Sequence, residues 1–173
     1  VGLVDIALTL WEVIFMKLTT KTRYGVRALF DMAYHAGTLP VQVKDISRRQ
    51  EISPRYLEQI FQVLKKAGLL HSKRGPQGGY SLARPPAEIT LLDIITATEG
   101  RIALLDCSEE GGEKNGKSSA CERMNHCVTQ TLWAEAGQHL EAYFASVTLK
   151  DICDKARALG MERELDHRFM YFI

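Results

Sequence analysis

The chain has 173 residues, 46% apolar and 25% charged, with a formal net charge of +1. That composition supports a real core, in one compact unit or a small domain with an appendage. No apolar run reaches the roughly 18 residues of a membrane span, and four cysteines without an export signal point to a reducing cytoplasm rather than a disulfide framework.

The first stretch, "VGLVDIALTLWEVIF" (1–15), is apolar but is interrupted by Asp5 and Glu12 and has no basic lead. It reads as an upstream extension rather than a signal peptide, with an accessory docking helix as the other reading. A helical pattern begins after Met16. In "LTTKTRYGVRALFDMAYHAG" (18–37), Val26, Leu29, Phe30, Ala33 and Tyr34 recur at helical spacing and Gly37 stops the helix. "VKDISRRQ" (43–50) is a short helix with Val43 and Ile46 inward. Ser53 then caps a third helix, with Pro54 in its first position. That helix, 54–68, carries Leu57, Ile60, Phe61 and Leu64 as its apolar stripe and ends at Gly68. Two helices joined by a turn of about four residues form a helix-turn-helix. A plain three-helix bundle would share the same periodicity.

"LLHSKRGPQGGYSLAR" (69–84) reads as strand, tight turn, strand. Gly75, Pro76, Gln77, Gly78 and Gly79 supply the turn, and Lys73 and Arg74 stand at its tip. A basic hairpin after a helix-turn-helix is a wing. "ITLLDIITATEG" (89–100) opens with a Thr90-x-x-Asp93 capping box and stops at Gly100. Next come Cys107, Cys121 and Cys127 in a C-x13-C-x5-C pattern on a hydrophilic loop. "CVTQTLWAEAGQHLEAYFASVTLKDI" (127–152) reads as one long helix with Leu132, Trp133, Ala136, Leu140, Tyr143, Phe144 and Val147 as a wide apolar stripe. Thr148-x-x-Asp151 starts a further short capped segment. Cys153 reads as a buried apolar residue.

Charge separates along the chain. Residues 17–84 hold thirteen Lys and Arg against four Asp and Glu, a net of +9, whereas 85–173 hold nine against fifteen, a net of −6. A basic half beside an acidic half suits a polyanion-binding face. No nucleotide-binding glycine motif, nucleophile–base pair or carboxylate pair stands in a recognisable context, so an enzyme is not expected. The loop also lacks the C-x2–4-C pairs common in zinc sites.

The segments "MKLTTKTRYGVRAL", "DISRRQEISPRYLEQIFQVLKKAGLL" and "KRGPQGGYSL" resemble the IscR-, NsrR- and CymR-like winged-helix transcriptional regulators, the Rrf-two family. The resemblance covers most of 16–150. It implies a mainly α fold: a winged helix-turn-helix domain with a small β-hairpin wing (16–100), a cysteine-bearing sensor loop (101–127), a long dimerisation helix (128–152) and a C-terminal tail (153–173). It also implies a homodimer on double-stranded operator DNA, with no membrane partner. By matching position, Arg55, Tyr56, Glu58 and Gln59 lie on the recognition helix and Lys73 to Gly79 on the wing. Thr19, Lys21, Arg23 and Tyr24 approach phosphates. Cys107, Cys121 and Cys127 match the cysteines with which cluster-binding members hold a 2Fe-2S or 4Fe-4S iron–sulfur cluster, implying a repressor that senses redox state, nitric oxide or iron–sulfur status. Gln130 and Arg23 stand where such members supply a fourth ligand; His126, Glu122, Asp106 or an external ligand could complete the site instead. A cluster-free member, controlled by thiol oxidation or by a partner protein, is the alternative.

Overall fold

The computed structural model describes residues 18–75, 78–102, 104 and 127–164. The expected extension at 1–15 lies outside them. Helices α1 (Thr20–His35), α2 (Val43–Gln50) and α3 (Pro54–Lys66) come first, followed by strands β1 (Leu70–Lys73) and β2 (Gly79–Leu82). A short 3-10 turn at Pro86–Glu88 leads into α4 (Leu91–Glu99), and α5 (Val128–Ser146) and α6 (Leu149–Ala158) complete the described elements. The fold is mainly helical, with one two-stranded antiparallel hairpin.

Local chemistry sets most boundaries. Thr19 and Ser53 cap α1 and α3 by accepting hydrogen bonds from Thr22 N–H and Tyr56 N–H. Both expected capping boxes form: Thr90 and Asp93 exchange hydrogen bonds at the start of α4, as do Thr148 and Asp151 at the start of α6. The turn between α2 and α3 is Glu51–Ile52–Ser53, one residue tighter than expected. Glu51 sits there in the left-handed region, at φ 55°.

The core lies where α1, α3, α4 and α6 meet. Leu29, Ile46, Leu57, Ile60, Phe61, Leu64, Ile94 and Leu149 are fully buried. Each such side chain contributes about 1.5–3 kcal/mol on leaving water. Also fully buried is Asp31, whose carboxylate accepts three bonds from the Arg49 guanidinium (2.7, 2.9 and 3.1 Å) and one from Gln50 Nε2 (3.0 Å). This ion pair fixes α2 on α1, because a charge is tolerated inside only when its lone pairs are satisfied.

The C-terminal region departs from expectation. The 128–152 segment is not one helix: α5 ends at Ser146, Val147 turns extended, and the Thr148 capping box starts α6. Thr90 and Thr148 form a single antiparallel bridge, with Leu91 N–H to Val147 O and Leu149 N–H to Ile89 O both at 2.9 Å. The bridge pins the end of α5 to the start of α4. The expected tail from residue 153 begins inside α6, which joins the core through Leu149, Cys153 and Ala156. Cys153 is buried, as its apolar reading requires.

Candidate nucleic-acid interface

The recognition helix α3 has two faces. Leu57, Ile60, Phe61 and Leu64 hold it to the core, while Arg55, Glu58 and Gln59 are exposed. Tyr56 is half-buried, its ring edge-on to Tyr24 of α1 at 5.9 Å. Gln62 and Lys66 continue the exposed stripe. Sequence reading passed over them, although the spacing 55, 59, 62, 66 places all four on one side of a helix.

The hairpin is fixed against α3. The Phe61 and Tyr80 rings pack in a tilted pair with centroids 4.8 Å apart, and Lys65 Nζ donates to Ser72 Oγ at 2.6 Å. Tyr80 also bridges Val41, with both backbone hydrogen bonds at 2.8 Å. Gly79 makes that approach feasible: a Cβ there would lie 2.2 Å from Val41 O. The backbone of the wing root therefore needs a glycine. Lys73, Arg74 and Gly75 are exposed at the hairpin end, and Gly78 is buried against it. Pro76 and Gln77 lie outside the described residues.

At the start of α1 the charged groups are engaged by neighbouring polar groups. Glu99 accepts from Thr19 N–H at 3.1 Å and from the hydroxyls of Thr19 and Thr22. Lys21 Nζ donates to Thr98 O at 3.1 Å. Burial pushes the Glu99 carboxyl up, but the hydrogen bonds from Thr19 and Thr22 outweigh it and hold it below its ordinary value. Arg23 is exposed and donates to Thr20 Oγ1 at 3.4 Å. Tyr24 lies beneath the Arg27 guanidinium, 5.4 Å from its ring centroid, and Arg27 also donates to Gln50. Neither Arg27 nor Glu99 stood out in the sequence, because both act through contacts between distant elements.

Cys127 occupies the N-cap position of α5, with its sulfur 3.3 Å from Thr129 Oγ1. Cys107, Cys121 and the fourth-ligand candidates Asp106, Glu122 and His126 lie outside the described residues. On α5, Leu132, Trp133 and Tyr143 are exposed, while Ala136, Leu140 and Phe144, with Val147 just past its end, are half-covered. Among the described residues no helix is long and apolar enough to cross a membrane.

A helix-turn-helix whose second helix offers a polar face, rigidly joined to a basic hairpin, defines a winged-helix DNA-binding protein. Residues 18–155 match the Rrf2 family, described as "Iron-dependent Transcriptional regulator", and the chain belongs to that family. It is 42% identical over 137 residues to the protein rrf2 of Nitratidesulfovibrio vulgaris, covering 79% of this chain and 87% of that one. Among solved structures it resembles T. potens IscR, with 38% identity, a TM-score of 0.66 and coverage of 91% and 97%. It also resembles CymR, the global cysteine regulator of B. subtilis, with 31% identity, a TM-score of 0.62 and coverage of 82% and 98%. The chain is a transcriptional regulator, not an enzyme.

Proposed function

We propose that the chain is a cytoplasmic, homodimeric repressor whose grip on operator DNA is controlled by an iron–sulfur cluster on Cys107, Cys121 and Cys127. One observation carries the DNA reading: Arg55, Glu58 and Gln59 project from a helix that is anchored on its other side and braced against the wing. In the major groove Arg55 and Gln59 read base edges, and Glu58 accepts from cytosine or repels the wrong base. Lys73 and Arg74, exposed at the end of β1, take phosphates or a narrow minor groove. Arg23 is the readiest phosphate contact on α1. Thr19 and Lys21 already bond Glu99 and Thr98, and Tyr24 backs the recognition helix through Tyr56. The apolar stripe of α5, centred on Leu132, Trp133 and Tyr143, pairs with its copy in a second chain. This sets two half-sites about one helical turn apart.

The cysteine donors suit a cluster. Three thiolates are soft ligands of the kind that hold 2Fe-2S and 4Fe-4S groups. Cys127 at the head of α5 sits where the helix dipole favours a thiolate. His126, Glu122 or Asp106 completes the set. When bound, the cluster supplies a centre sensitive to oxidants, nitric oxide and iron–sulfur supply. The likeness to CymR supports a second reading, in which thiol oxidation or a partner protein controls a cluster-free regulator. Anaerobic visible spectra with iron, sulfide and zinc analysis separate the two. Iron with acid-labile sulfide, lost in Cys121→Ala and retained in Cys153→Ala, supports the cluster. A colourless protein whose operator binding responds to peroxide supports the second reading.

Contact roles separate by substitution. Arg74→Ala weakens binding to all sequences, whereas Gln59→Ala relaxes preference at one base position and costs about 1–3 kcal/mol on the best site. Competition binding against operator variants checks this. A uniform loss in Gln59→Ala contradicts its assignment to base reading.

A further inference from the structure

Between the second half of α1 and α6 lies a cavity of about 160 Å³, lined by Ala33, Tyr34, Cys153, Arg157 and Arg163. It is remote from the exposed face of α3, and nothing in the DNA-binding reading uses it. Three of the lining residues, Ala33, Tyr34 and Cys153, are buried and largely apolar. The Tyr34 ring is held in place. It stacks on Phe30 at 5.4 Å, and its hydroxyl donates to Met161 O at 2.5 Å. Cys153 is only 6% exposed, and its thiol makes no hydrogen bond among the described residues, although a buried polar group ordinarily finds a partner.

Arg157 and Arg163 supply the cavity's two positive charges. Arg157 pairs with Asp154 through one nitrogen, which leaves further donors on its guanidinium. Arg163 is exposed and pairs with no carboxylate among the described residues. Both charges act on the Cys153 sulfur. Burial pushes its thiol up, Arg157 and Arg163 pull it down, and Asp154 adds to the upward push. The cavity thus joins an apolar floor, an unbonded thiol and two fork-shaped cations whose geometry matches a carboxylate.

We propose that this cavity is a binding site for a small organic carboxylate, with its apolar body against Ala33, Tyr34 and Cys153 and its anionic head between Arg157 and Arg163. A cavity of about 150 Å³ takes benzene, so the body is limited to roughly one ring or a short branched chain. Inorganic phosphate offers no apolar body to cover the floor, and a neutral alcohol offers nothing to the guanidinium groups. Occupancy also reaches beyond the cavity. Arg163 belongs to the Met161–Glu164 segment, in which Glu164 N–H donates to His35 Nδ1 at 2.9 Å and the Glu164 carboxylate pairs with Arg48 of α2. A ligand that holds Arg163 steadies a segment bonded to the first helix of the helix-turn-helix.

The test uses the full-length protein with benzoate as the probe, at constant ionic strength. The rate of N-ethylmaleimide labelling at Cys153 is read by peptide mass spectrometry. Labelling should slow saturably, roughly tenfold at a benzoate concentration about ten times its dissociation constant, while labelling at Cys127 stays unchanged. Benzyl alcohol and phosphate at the same concentration should protect little, and Arg157→Ala/Arg163→Ala should lose the protection. Both arginines are exposed, so circular dichroism of the double variant should match wild type. The proposal is overturned if benzoate leaves Cys153 labelling unchanged in the wild-type protein. Equal protection by phosphate, or protection that survives in the folded double variant, overturns it as well.

Discussion

The winged unit and α5 are built on opposite plans. In the winged unit, short helices of eight to sixteen residues share a core in which Leu29, Ile46, Leu57, Ile60, Phe61 and Leu64 are 0% exposed. Helix α5 is longer, at nineteen residues, yet Gly137 is its only buried residue. It leaves Leu132 58%, Trp133 42% and Tyr143 59% exposed. The first region is complete within one chain. The second is tied down at its end by the Thr90–Thr148 bridge, packs on α4, and leaves among the described residues an exposed apolar patch of the kind that marks interaction sites. Most helical stability in proteins comes from packing of an amphipathic face rather than from propensity. In the proposed dimer, folding and assembly would fall to different parts of the molecule.

The largest effect that bears on this contrast is Phe61→Ala. Phe61 is fully buried and packs on Tyr80 at the wing root. The substitution should cost about 3–5 kcal/mol and, in urea unfolding, should remove most of the stability of the unit together with DNA binding. Trp133→Ala on α5 should behave differently. Its circular dichroism should stay near wild type, while sedimentation equilibrium should show association of the proposed dimer weakened by about 2 kcal/mol or more. A Trp133→Ala protein that unfolds as Phe61→Ala does would erase the distinction between the two regions.

A smaller effect is expected from pH. Burial holds the His35 imidazole below its ordinary value, and the nearby Arg49 charge lowers it further, against the opposing pull of Asp31 and Glu164. The neutral ring accepts the Glu164 N–H at Nδ1, which a protonated ring cannot do. The folded pKa lies below the unfolded one, so this contribution is fully present above about pH 6.5. As pH falls through that value the unfolded chain takes up the proton first and stability declines, until the folded form titrates as well. Thermal midpoints measured from pH 7.5 to 5 should show this slope in wild type and lose it in His35→Gln. The smallest effect is Glu51→Gly. Relieving the left-handed φ of 55° in the helix-turn-helix should stabilise the protein by about 0.5–1 kcal/mol, visible as a raised urea midpoint with an unchanged slope.

The sequence carried what is local. Ser53 and Pro54 announced α3, and the spacing of Thr90 with Asp93 and of Thr148 with Asp151 announced two capping boxes that form as written. Caps are legible because their donors and acceptors lie three residues apart. The unbroken helix over 128–152 was misread because the apolar stripe runs through Val147, whereas the Thr148 cap restarts the helix there. What escaped entirely is long-range: the Asp31–Arg49 pair, the Val41–Tyr80 bridge, the engagement of Glu99 with Thr19, and the return of α6 into the core. No spacing rule links residues 80 positions apart. At the interface, Arg55, Glu58 and Gln59 were legible as the polar positions between core positions of one helix. Cys127 alone of the three loop cysteines is described, and its place at the head of α5 follows from the apolar run that begins after it.

The most direct test of the account is operator affinity measured anaerobically on one preparation, first with its iron and sulfide in place and then after the cluster has been removed. The loaded protein should carry iron and acid-labile sulfide, and removing them should change affinity at least about tenfold, a coupling of roughly 1.4 kcal/mol. A protein that takes up no iron or sulfide, or whose operator affinity is the same before and after removal, contradicts it.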